Sequence, residues 1–256
     1  MSRADDHSKD CPRAREWLGS DPKRLERVRR SLREWGRRHY REYPWRGERN
    51  PWLTLAAEIL LQRTRASQVE PVFRELRERY STPDRLVEAG PEAAQEITSH
   101  LGIHWRGPLL YSVAAEVRNR GGSPPESPDV LRELPGVGPY TSAAWLSLHR
   151  GKRAVIVDSN VGRWLSRMTG CPRPGDPRYV PWVRELADAL TPKRGFREYN
   201  YAVLDFTISI CTPRRPRCRE CPLQPDCEYW PRDLSPDAGR HSQHDPDRRQ
   251  AHPNST

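Results

Sequence analysis

At 256 residues and 29.7 kDa, the chain can bury a sizeable core as one large domain or two small ones, which excludes a peptide or a staple-dependent miniprotein. Its formal net charge of +10 and pI near 9.6 suit a polyanionic partner, nucleic acid first. No stretch approaches about 18 apolar residues and Met1 to Asp10 is polar, so neither a membrane span nor a secretory signal is expected and the protein reads as cytoplasmic.

Lys9, Lys23, Lys152 and Lys193 are the only lysines among 44 basic residues. The rest are arginines, whose planar fork matches phosphate, although a bias towards arginine codons gives the same excess. Residues 1–20 and 231–256 are polar and read as disordered tails. In the second tail Arg232, Arg240, Arg248 and Arg249 balance Asp233, Asp237, Asp245 and Asp247, so the positive surplus belongs to the ordered part.

Between the tails the periodicity is helical. Leu25, Val28, Leu32 and Trp35 form one stripe, Leu55, Ile59, Leu60 and Thr64 a second, and Val69, Val72, Phe73 and Leu76 a third. Amphipathic runs follow over 83–89, 91–99, 106–120, 128–133, 140–149, 158–169, 178–190 and 197–209, parted by Pro and Gly breaks. Ala154 to Val157 is the one strand-like run, too short to build a sheet. The expected fold class is all-α.

Three segments carry chemistry. Leu134-Pro135-Gly136-Val137-Gly138-Pro139-Tyr140-Thr141 places a glycine turn before a helix N-terminus, where backbone N–H groups favour an anion and would hold a phosphate without reading sequence. Alone, such a turn is more often a plain loop. Asp158, after the apolar run Val155-Ile156-Val157, reads by itself as a helix N-cap. Cys211-x6-Cys218-x2-Cys221-x5-Cys227 puts four thiols within 17 residues, stiffened by Pro213, Pro216 and Pro222. The set fits one inorganic centre, either zinc or an iron–sulfur cluster. The same loop carries Arg214, Arg215, Arg217 and Arg219, cations suited to phosphate or a solvated charged face. Cys11 and Cys171 stand apart from the four and read as a tail thiol and a small packed residue.

In this order the three segments resemble the helix–hairpin–helix (HhH-GPD) base-excision DNA glycosylases related to endonuclease III and MutY. The likeness includes Tyr43-Pro44-Trp45-Arg46 and Glu58-Ile59-Leu60-Leu61-Gln62-Arg63-Thr64 and runs from about residue 21 to 230. The resemblance implies a two-lobed fold, with a six-helix barrel lobe over 52–149 and a lobe from 21–51 plus 150–230 holding a [4Fe-4S] cluster on Cys211, Cys218, Cys221 and Cys227. It implies a monomer acting on double-stranded DNA that carries a mismatched or damaged base, flipped out of the stack, in the cytoplasm at the nucleoid. Gly136, Val137 and Gly138 would hold the backbone with Arg214 and Arg215 as second anchor, and Gln62 and Arg63 would enter the vacated stack or read the orphan base. Asp158 matches the family's essential aspartate, which stabilises the cationic sugar.

Bifunctional relatives carry a lysine where this chain has Tyr140, and a phenol cannot form a Schiff base. The expectation is a glycosylase without lyase activity. A tyrosine there, with Glu58, is most similar to the Mig-type T/G-mismatch thymine-DNA glycosylases, which release thymine or uracil opposite guanine. A MutY-type adenine glycosylase is the alternative, since Glu58 has a counterpart there too, though the serine those enzymes carry beside the hairpin is absent. A non-catalytic iron–sulfur DNA-binding module would not need Asp158, Glu58 and Tyr140. His104, Trp105 and Arg106 lie near where relatives line the pocket and are given no role.

Overall fold

The computed structural model describes residues 10–230, and among these the fold is all helical, with no strand. The helices are α1 (Pro12–Gly19), α2 (Arg24–Arg38), α3 (Pro51–Leu60), α4 (Ala66–Arg79), α5 (Pro83–Ala89), α6 (Pro91–Thr98), α7 (Arg106–Asn119), α8 (Pro128–Leu131), α9 (Pro139–His149), α10 (Ser159–Thr169), α11 (Pro181–Leu190) and α12 (Phe196–Ser209). Many of them open on proline, where the missing N–H would have had no intrahelical partner. Asn50 caps α3 through the backbone N–H groups of Trp52 and Leu53. Ala154 to Val157 runs between α9 and α10 without strand pairing. No helix among the described residues is long and apolar enough to cross a membrane.

Buried apolar side chains form two large clusters. One draws on a contiguous stretch, Trp45 to Leu146, and includes Leu55, Ile59, Phe73, Leu76, Leu110, Val117 and Trp145. The other joins both ends of the chain, packing Trp17, Val28 and Leu32 against Trp164, Val183, Phe206 and Leu223. A small third cluster, Ala144, Leu148, Ile156 and Tyr201, has Tyr140 and Leu204 against it. Helices α2 and α12 approach closely at Gly36, where an added Cβ would lie 2.4 Å from that of Ala202. Arg46, 7% exposed, donates two bonds of 2.8 Å to the Asp205 carboxylate, fastening the segment that leads into the contiguous cluster onto α12.

The amino-terminal segment departs from the expected tail. Residues 12–19 are helical, Ala14 and Trp17 are buried, and the Trp17 indole donates to the Asp226 carbonyl at 2.9 Å. Cys11 and Cys171 are joined in a disulfide, Cα atoms 6.2 Å apart, instead of forming a lone thiol and a packed residue. An eight-residue helix is too short to hold itself in water; contacts with residues far along the chain stabilise it, and local periodicity does not register those. Residues 1–9 and the expected tail at 231–256 lie outside the described residues. The second apolar stripe also stops early. Helix α3 ends at Leu60, and Thr64 sits in the following turn, its hydroxyl bonded to the Gln62 carbonyl.

Candidate active site

Three side chains named by sequence meet where α3, α9 and α10 converge. Glu58, in the last two turns of α3, is 4% exposed. Tyr140 opens α9, and its phenol is held well above its ordinary pKa, first by burial and then by the nearby carboxylates of Glu58 and Asp158. Asp158 is the N-cap of α10: one carboxylate oxygen accepts the backbone N–H groups of Asn160 (2.9 Å) and Val161 (2.7 Å), and the other accepts the Asn160 side-chain amide (2.8 Å). The capping bonds fix the direction of that carboxylate beside the phenol.

Glu58 has a partner that no local spacing announces. His149, at the far end of α9 and 91 positions along the chain, brings Nε2 to 3.0 Å from Glu58 Oε1, with its side chain 1% exposed. His149 Nδ1 and the Tyr201 hydroxyl are both buried without a hydrogen-bond partner. Burial, and then Glu58, raise the pKa of the Tyr201 phenol. The site is thus lined by two carboxylates, two neutral phenols and one imidazole.

Beside it, the turn after α3 is stitched to the glycine hairpin. The Gln62 amide donates to the Gly136 carbonyl at 2.9 Å and to the Thr141 hydroxyl at 3.1 Å. Gly136 takes a φ of 67°, a left-handed conformation that glycine adopts without cost, while Val137 is buried and anchors the turn. Gly138 is the N-cap of α9. Gln62 and Arg63 lie in a turn and not on a helix face. Arg63 is exposed and has a φ of 57°, the one non-glycine residue with a positive φ among the described residues, which is a strained choice for a long side chain. Arg106, fully buried, holds this turn by donating to the carbonyls of Ile59 and Gln62 and to the Thr64 hydroxyl. Trp105, stacked on that guanidinium, is 47% exposed.

The four clustered cysteines, none of them in a disulfide, line one small cavity with Trp164, Arg167 and Phe206. Burial pushes the Cys221 thiol up to about 12 and Cys227 up to about 11. Among the described residues no group of three or more His, Cys, Asp or Glu side chains is gathered tightly enough to hold a metal ion. Arg214 and Arg215 are exposed on the same loop. A chain of bonds connects loop and site: Arg163 donates to the Cys211 carbonyl (3.0 and 2.8 Å) and to the Asn160 side-chain oxygen (2.9 Å), and Asn160 in turn donates to Asp158. Sequence reading missed His149, Tyr201 and the support from Arg106, whose partners are all far away along the chain.

Residues 56–181 match the family of HhH-GPD superfamily base excision DNA repair proteins. A thymine-DNA glycosylase of Aeropyrum pernix is 37% identical over 219 residues, spanning 83% of this chain and 98% of the relative. An adenine DNA glycosylase of Mycobacterium tuberculosis is 33% identical over 199 residues, 75% of this chain but 64% of that protein. Among solved structures, a thermostable thymine-DNA glycosylase superposes with a TM-score of 0.76 at 30% identity, covering 82% of this chain and 97% of its own. With the helical fold and the hairpin described above, these similarities place the chain in the HhH-GPD superfamily of base excision DNA repair proteins.

Proposed function

We propose that the protein is a DNA N-glycosylase without lyase activity that hydrolyses a mispaired thymine or uracil from opposite guanine. The observation that carries this reading is the convergence of Asp158 and Glu58 on a neutral Tyr140 phenol. A base stacked in a duplex is out of reach, so the nucleotide must rotate into the site, at a cost that is least for a mispair. As the glycosidic bond lengthens, positive charge develops on the sugar, and an oriented carboxylate at Asp158 stabilises it and positions water. No amine stands at Tyr140 to attack the sugar, so the product is an abasic site in an unbroken strand. The N–H groups of Gly136 and Gly138 and the exposed Arg214 and Arg215 suit the flanking phosphates, whereas the Val137 N–H is donated to the Leu134 carbonyl at 3.1 Å, and Gln62 and Arg63 stand beside the hairpin to face the orphan base.

We also propose that Cys211, Cys218, Cys221 and Cys227 hold a [4Fe-4S] cluster. All four thiols line one cavity, and a single short loop supplies the whole four-thiolate set, as a compact cluster would need. When bound, the cluster would cross-link the loop that presents Arg214 and Arg215. Cys218→Ser is expected to remove visible absorption and weaken DNA binding, measured by absorption spectroscopy and fluorescence anisotropy; a colourless wild type loaded with zinc would overturn the assignment.

Base release from T·G, U·G, A·G and A opposite oxidised guanine duplexes, each run with and without alkali, tests the main reading. Thymine or uracil release with strand breaks only after alkali is expected. Release of adenine alone would move the protein to the adenine glycosylases, and no release at all would leave a DNA-binding module.

A further inference from the structure

The loop that carries Cys211, Cys218, Cys221 and Cys227 has almost no core of its own. Its regular structure is two single turns of 3-10 helix, Cys218–Glu220 and Gln224–Asp226, and of residues 211–230 only Cys211, Leu223 and Asp226 are buried. The two ends of the loop are held differently. At the first end, Arg163 of α10 donates to the Cys211 carbonyl at 3.0 Å, and Arg167 donates to the carbonyls of Thr212 (2.6 Å) and Pro213 (2.7 Å). The second end lies between two jaws. One is the last turn of α10, whose Arg167 and Met168 carbonyls accept the backbone N–H groups of Tyr229 and Glu228, both at 3.0 Å. The other is residues 11–27. The Trp17 indole donates to the Asp226 carbonyl at 2.9 Å, and Arg24 donates to the Trp17 carbonyl at 2.7 Å while pairing with the Asp226 carboxylate at 3.5 Å. Arg27 holds the same carboxylate through two of its nitrogens, and Leu223 packs in one apolar cluster with Cys11, Ala14 and Trp17. Arg13 and the Cys11–Cys171 disulfide join the jaws to each other, the first by donating to the Gly170 carbonyl at 3.1 Å and the second covalently.

We propose that residues 11–27 are a retaining clamp for the cofactor loop: they grip the segment between Cys221 and Cys227, and the Cys11–Cys171 bond keeps the clamp closed. The inference rests on the cluster assignment above and adds to it the part of the chain that holds the ligands in place. A segment that buries little of itself opens locally at small cost. Leu223 and Asp226, the two buried anchors of the second end, both fall between Cys221 and Cys227, and both are met by the amino-terminal residues. A closed clamp therefore keeps these two thiols on the wall of the cavity they share with Cys211 and Cys218. An open clamp leaves the first end fixed by Arg163 and Arg167 and lets the second swing, so that two of the four ligands lose their place together. The disulfide acts by tethering α1, an eight-residue helix too short to persist alone. Tied to Cys171, the helix redocks as an intramolecular event at high effective concentration.

Hydrogen–deuterium exchange on the full chain tests the clamp. With Cys11→Ser and Cys171→Ser together, amide exchange is expected to quicken at least about 10-fold in both 12–19 and 223–229, while 106–117 in the other large cluster keeps its wild-type rate. Trp17→Phe keeps an aromatic ring and the disulfide but loses the donor to Asp226, and is expected to quicken 223–229 by about 3- to 10-fold. If the double variant exchanges faster everywhere, Trp17→Phe decides. Exchange in 223–229 at the wild-type rate in both variants, whatever happens in 12–19, would overturn the proposal. Retention is read separately: with a ferrous chelator in excess, visible absorption is expected to fade at least about 10-fold faster in the double variant than in the wild type, and equal fading would refute the retaining role. A wild type without visible absorption would instead refute the cluster assignment, while the exchange result still judges the clamp.

Discussion

Asp158 caps α10 with the same carboxylate that lies close to Tyr140 in the candidate site. As N-cap it accepts two backbone N–H bonds at the head of α10, and in doing so it is held beside Tyr140. Asparagine caps a helix as well as aspartate does, so Asp158→Asn separates the two duties. We expect base release to fall at least about 100-fold with the unfolding midpoint and the affinity for a T·G duplex near wild type, measured by single-turnover assay, thermal melting and fluorescence anisotropy. Retained turnover would remove Asp158 from the chemistry. Sequence alone pitted cap against site at this position; the structure shows the cap, with the capped carboxylate close to Tyr140. Glu58 was legible from its segment, but His149 was not, because a hydrogen bond between helices 91 positions apart leaves no trace in spacing.

At the level of elements, the helices follow apolar stripes and proline starts closely, since a buried face imposes a 3.6-residue period that shows in sequence. The departures have two separate causes. Helix α1 is short and held by Trp17 and Cys11 against distant residues, and the turn after α3 breaks an apolar stripe because Arg63 reverses its φ. The α2–α12 crossing shows how tight the successful packing is. Alanine at Gly36 would favour the helix by about 1 kcal/mol on propensity, yet its Cβ would stand 2.4 Å from that of Ala202. Gly36→Ala is therefore expected to destabilise by about 1–3 kcal/mol through overpacking; a gain in stability on urea denaturation would show that the two helices part easily.

Across the whole molecule, the Cys11–Cys171 bond closes a loop with a sequence separation of 160, taking in α1 to α10. Paired substitution Cys11→Ser with Cys171→Ser is expected to cost about 2–4 kcal/mol, mainly by freeing the unfolded chain, read as a lower urea midpoint under oxidising conditions. Equal midpoints for variant and wild type, with and without reductant, would show that the bond contributes nothing. The all-helical class and the positions of the candidate site residues were readable because they show in local periodicity and short motifs; the way the two ends of the chain meet was not, because it depends on pairings between remote segments.

Those two clusters differ in when they can exist. The one from Trp45 to Leu146 is complete as soon as that stretch has left the ribosome, whereas Trp17, Val28 and Leu32 wait for Phe206 and Leu223. During synthesis the first-made residues therefore remain without their partners the longest. A nascent chain halted after α9 would protect the contiguous part from protease and leave α1 and α2 open to it. The candidate site is divided by that order: Glu58, Tyr140 and His149 are made by the end of α9, whereas Ile156 and Tyr201 of the small cluster against which Tyr140 packs, and Asp158 at the head of α10, follow later.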